Sequence, residues 1–237
     1  MDLLFTVIVL TLLSGLAMPF GALLAKIEHI HPSWLKSELR HSVIALGAGA
    51  LLSAVALVLV PEGTSNLSPL SACLAFTLGG VGFMLLDILL KKINTPASQL
   101  VAMLADFIPE SIALGAAFAT GSSSAYLIAL LIALQNLPEG FNAYRELKDG
   151  SSMKSISIIS SFIGLALLGS LSGILGYTFL YDLPKVLSVI MLLASGGILY
   201  SIFQDIAPQV KLEKHWSPPL WAVFGFMFGM LGHMLMH

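Results

Sequence analysis

Charge is scarce in this chain: Asp, Glu, Lys and Arg make up 10% of its 237 residues, against about 25% in a typical globular domain. A soluble fold of this size would lack a solvated surface, so the composition excludes one. Cysteine is nearly absent as well. The single thiol, Cys73, excludes an internal disulfide and is expected to be a small buried hydrophobe. With eleven Lys and Arg in all, no basic surface exists for nucleic acid. There is no low-complexity stretch, no linker and no loop long enough for a soluble domain. His-Glu-x-x-His is missing, which removes the usual zinc-protease motif. Tyr181-Asp182 ends a segment with no Gly-x-Gly-Asp after it, so an intramembrane aspartyl protease is not expected either. The chain is not read as an enzyme, and no prosthetic group is expected.

What is present is apolar. Hydrophobic residues make up 57% of the chain and its mean hydropathy is +0.93. They fall into eight runs, each near the ~20 residues that cross a bilayer. These are Leu3–Lys26, Ser42–Pro61, Leu70–Leu90, Ala97–Ala119, Ala125–Tyr144, Ile156–Leu180, Lys185–Ile206 and Leu220–Met236. The first begins Met1-Asp2 with no basic flank and is too long for a signal-peptide core, so it is read as a span. The expected fold is one all-α membrane domain, residues 1–237, with eight transmembrane helices.

The basic residues orient it. Ten of the eleven lie in the odd-numbered loops or at their borders, and only Lys185 lies in an even one. Positive charge stays in the cytoplasm. Both termini are therefore expected outside, in an integral protein of the plasma membrane.

Two of the runs carry polar groups at their centres. Asp106-Phe107-Ile108-Pro109-Glu110 lies in the fourth, and Gln135-Asn136-Leu137-Pro138-Glu139 in the fifth. At 1.5 Å per residue, Asp106 and Glu110 lie roughly 14 and 20 Å into the fourth run, Gln135 and Glu139 roughly 15 and 21 Å into the fifth. An ionised carboxylate at that depth costs at least ~2.5–3.5 kcal/mol. Neither run contains Lys or Arg, so the compensating charge is a cation from outside the protein. Each pair is spaced i, i+4 and points from one face. A short connection makes the two helices antiparallel neighbours, and their polar faces can surround one ion. Pro109 and Pro138 free the carbonyls of Ala105 and Leu134, which at this depth need water, a neighbour or a cation.

Gln135-Asn136-Leu137-Pro138-Glu139-Gly140 resembles the fifth-helix motif of ZIP (Zrt/Irt-like) metal transporters, commonly His-Asn-x-Pro-Glu-Gly. Asp106 to Ser111 is similar to the family's fourth-helix motif. The resemblance takes in the whole eight-span layout, including Pro61-Glu62-Gly63, Gly173 to Tyr177, and Asp205 to Pro208. It implies a primary metal site of Asp106, Glu110, Gln135 and Glu139, with Asn136 as a further metal-binding residue. Asp106 stands where the family usually has His. Phe107 stands where an Asn ligand is common, and helix six reads Gly169-Ser170 where some members have Glu-Pro. One transport site rather than two is therefore expected. The family's long His-rich cytoplasmic loop is missing, because Lys91 to Pro96 is too short for it.

Weaker candidates lie outside the two motifs. His29 and His31 form a His-x-His in the first loop, more readily a solvated pair than a metal-collecting one. Gln204 and Asp205, at the inner end of the seventh run, line an exit or cap the helix. Asp87 is expected to form a salt bridge with Lys91 or Lys92. The expected function is transport of a divalent transition-metal ion (zinc, iron(II), manganese or cadmium) toward the cytoplasm, the metal being substrate. A proton-coupled carrier of another small cation and a non-transporting metal receptor are the alternatives. The expected partners are metal ions and the bilayer; the oligomeric state is open, a homodimer included.

Overall fold

The computed structural model describes residues 3–28, 33–93, 95–121, 125–180, 182–210 and 216–236. It is 93% helical, with no strand among the described residues. The helices are α1 (Leu3–Glu28), α2 (Ser33–Ala54), α3 (Val60–Thr64), α4 (Pro69–Ile93), α5 (Pro96–Ala119) and α6 (Ala125–Gly150). They continue as α7 (Ser155–Leu175), α8 (Pro184–Ser201), α9 (Ala207–Val210) and α10 (Ser217–Met236). π-Helical turns at Val55–Leu59 and Ile202–Ile206 join α2 to α3 and α8 to α9, and a third, Gly176–Leu180, extends α7. The first two turns run up to Pro61 and Pro208, whose missing N–H groups already interrupt the ladder there.

Every apolar run is thus a helix. α2 begins at Ser33, well before the run's start at Ser42, and α6 continues past Tyr144 to Gly150. Hydropathy marks only the part of a helix that avoids water, and these polar ends lie beyond it. Among the described residues, six helical rods are long and apolar enough to cross a membrane: α1, α2 with α3, α4, α7, α8 with α9, and α10. The other two long helices, α5 and α6, carry the polar motifs. α6 is packed against α1, α2, α5, α7 and α10. A helix enclosed by protein can hold polar residues that a lipid-facing one cannot.

Close helix contacts are built on glycine. Gly21 of α1 meets the carbonyl of Leu137, and Gly140 of α6 meets that of Met18. A Cβ on either would overlap the facing oxygen. The same reciprocal arrangement joins Gly115 to Gly176 between α5 and the turn after α7, Gly79 to Gly196 between α4 and α8, and Gly49 to Gly225 between α2 and α10. Small residues let backbones approach where lipid supplies no hydrophobic drive for association. α1, α5, α6 and α7 form one cluster around Phe107, Phe162, Leu114 and Leu131. Leu51, Met191, Ile198 and Ile202 anchor a second between the α2 and α8 rods.

Cys73 is exposed on α4 rather than buried. α4 packs mainly on α8 through Ala72, Ala75 and Gly79, and turns Leu74, Leu78 and Leu85 outward with Cys73. In a bilayer a thiol on that face meets lipid, so an apolar residue there need not be buried in protein.

Candidate cation path

The i, i+4 pattern on α5 and α6 brings their polar faces together. Gln135 Nε2 donates to Glu110 Oε2 across the interface, and the two side chains are 1% and 2% exposed. Glu110 Oε1 and Gln135 Oε1 have no hydrogen-bond partner. A buried oxygen without a partner loses its hydration and gains nothing in return. Asp106 Oδ1 is in the same state.

A cavity of about 490 Å³ reaches this region from the end where α4, α6 and α9 carry their basic or polar termini. Asp106 and Glu139 line its deep part, near Leu51 and Met103. Asp87, Glu146 and Asp205 line it nearer the mouth, along with Lys91. Pro138 also reaches the wall, where its ring packs over Gly47 of α2 in a space that a Cβ at 47 would fill. Five carboxyl groups and one ammonium thus line the cavity, and the Arg40 guanidinium reaches Asn142 of the same wall.

Glu110 and Gln135 do not line the cavity; they form a buried pair behind it. Beyond Glu110 is a void of only about 10 Å³, otherwise bordered by apolar side chains such as Val58, Leu59 and Ile132. The four expected ligands therefore sit at two levels. Among the described residues, no group of three His, Cys, Asp or Glu side chains is placed to hold a metal ion. Asn136 does not line the cavity, and its Oδ1 too has no hydrogen-bond partner. Its Nδ2 donates to Ser14 O of α1 at 2.9 Å, while Ser14 Oγ donates back to Ala129 O at 2.8 Å. One residue along a helix is about 100° of rotation, so neighbours in sequence face different helices. Asn136 holds α1 to α6 and is not part of the cavity wall.

Asp205 lines the cavity and Gln204 is exposed outside it. Asp87 forms the expected salt bridge to Lys91, Nζ to Oδ2 2.8 Å. His29 and His31 lie outside the described residues. Phe107 is 1% exposed and its ring lies over Gly15 of α1 and Gly169 of α7, where a Cβ at either glycine would strike it.

The sequence reading missed Asn142 and Glu146 as wall residues. They continue the spacing of Gln135 and Glu139 along one face of α6, Asn142 at the end of the apolar run and Glu146 just past it. Arg40 of α2 donates to Asn142 Oδ1 at 3.3 Å, and Asn142 Nδ2 donates to Glu146 at 2.9 Å. No protein-family model matches this chain, and neither does any curated protein.

Proposed function

We infer that this chain is an eight-span carrier of divalent transition-metal cations of the ZIP type, with α5 and α6 as spans inside the bundle. The observation that supports this is the cavity, in which five carboxyl groups and a single ammonium line a route to the middle of the α5–α6 pair. At 24 and 26 residues, α5 and α6 have the length to cross. The positive-inside bias makes the cavity's mouth cytoplasmic and both termini external.

An ion in the cavity meets Asp106 and Glu139 first. Carboxylate oxygens are hard donors, suited to manganese and iron(II) as well as zinc. Glu110 and Gln135 complete the coordination when helix movement breaks their mutual hydrogen bond, which frees Glu110 Oε2 to join the already unpartnered Glu110 Oε1 and Gln135 Oε1. Alternating access around this pair carries the metal between the two sides, with the apolar contacts of Val58, Leu59 and Ile132 as the barrier on the external side.

The test is radiometal uptake into proteoliposomes with zinc, manganese, iron(II) and cadmium in competition. Saturable uptake that the empty vesicles lack supports the reading. Metal-dependent thermal stabilisation without uptake would instead support a receptor, and uptake of a proton-coupled organic cation with no response to metal would support the remaining alternative.

A further inference from the structure

The salt bridge at the mouth does more than join two turns of α4. Lys91 Nζ stands 2.8 Å from Asp87 Oδ2 and 3.7 Å from Asp205 Oδ1, so one ammonium serves two carboxylates from different rods. Tyr200 Oη donates to the same Asp87 oxygen at 3.3 Å. All three charged groups line the cavity that reaches Asp106 and Glu139. Among the described residues, Lys91 is the only Lys or Arg in that wall; Lys92, its neighbour, is exposed and not part of it.

We propose that Lys91 is a tethered counter-cation, which occupies the Asp87–Asp205 pair and competes there with the divalent ion the path carries. This rests on the cavity being a cation path and names how its mouth is kept open. Two carboxylates close enough to share one ammonium present two negative charges at the mouth. Oxygen pairs of that kind hold divalent cations, and an ion leaving the deep site would be retained there. The ammonium offsets one of the charges. It is also replaceable: the Lys91 side chain is 57% exposed and that of Asp205 46%, and pairs so open to solvent are weak. A passing divalent ion displaces the ammonium, and the ammonium in turn displaces the ion. The i, i+4 spacing on α4 keeps the ammonium within reach of Asp87 throughout.

The test uses the full chain in nanodiscs, titrated with Mn²⁺ and followed by the loss of free-ion EPR signal. Lys91→Met keeps the length of the side chain and removes its charge. It is expected to bind Mn²⁺ at the mouth about tenfold more tightly than the wild type does. Lys91→Arg should titrate as wild type, and Asp205→Asn added to Lys91→Met should remove the gain. On the unmodified protein, Mn²⁺ but not Na⁺ should speed labelling of Lys91 by an amine-reactive reagent, because the displaced ammonium is freed. Identical titrations of wild type and Lys91→Met, a gain that survives Asp205→Asn, or labelling indifferent to Mn²⁺ would each overturn the proposal. These are equilibrium readouts, so they separate the two ideas. A gain in Mn²⁺ binding without metal flux in the wild type removes the transport reading alone, and flux without the gain removes the role of Lys91 alone.

Discussion

Gly21 and Gly140 oppose each other where α1 crosses α6, each with its missing Cβ directed at a carbonyl oxygen of the other helix. Gly140 follows Glu139, so the contact that brings α1 against α6 also sets how the carboxylate one residue earlier is turned. Gly140→Ala should therefore destabilise the protein by at least the ~1–3 kcal/mol typical of overpacking. Gly82→Ala, with nothing within 4 Å of the added carbon, should leave stability unchanged or raise it by up to about 1 kcal/mol, because Ala is the better helix former. Thermal unfolding in detergent compares the two, and equal melting temperatures for both variants would contradict the packing described.

Glu139→Ala and Glu110→Ala are each expected to abolish metal uptake while the protein still inserts. The first removes a carboxylate of the cavity wall, and the second removes the partner of Gln135. Wild-type uptake rates in either variant, measured on reconstituted protein of equal amount, would exclude that residue from the path.

Protons and metal compete for the same carboxylate oxygens, so metal binding releases protons. As pH falls, a larger share of the carboxylates is protonated and apparent metal affinity decreases. Between about pH 7.5 and about pH 5.5 the weakening should be measurable by equilibrium titration, with proton release on binding in weak buffer. An affinity independent of pH over that range would mean that carboxylates do not ligate the ion.

Selectivity is expected to be broad, because Asp106 contributes oxygen where an imidazole would favour borderline ions such as zinc. Carboxylates still bind zinc at about 2.0–2.2 Å, so zinc is expected to compete as well. Asp106→His should raise the preference for zinc and cadmium over manganese. Competition uptake assays on the two proteins decide this; an unchanged zinc-to-manganese ratio would place Asp106 outside the coordination sphere.

The hydrogen bond between Asn136 and Ser14 makes a further comparison informative. Asn136→Ala removes the hydrogen bond to Ser14 O and leaves the cavity wall intact. It is expected to cost about 1–3 kcal/mol of stability, the range for an unsatisfied buried partner, with the metal preference unchanged. A shift in the preference among zinc, manganese and cadmium would return Asn136 to the coordination sphere.

The sequence by itself determined the helices, because apolar run length is a local property and the bilayer sets its scale. It also determined that Glu110 and Gln135 lie on facing stripes of adjacent helices, since i, i+4 spacing and a short connection suffice for that. Only the tertiary structure decided which of the polar residues share one space. Asn136 sits next to Gln135 in the chain yet bonds to α1, and Gln204 sits next to Asp205 yet lies outside the cavity. The split of the four expected ligands into a wall pair and a buried pair belongs to the same level. The physical reason is helix rotation. Periodicity states which residues share a face, but where that face points follows from contacts between distant segments, here the reciprocal glycines and the π turn that carries Asp205. Lys91 shows this most plainly: its bond to Asp87 follows from local spacing, and its approach to Asp205 exists only because α4 packs on α8.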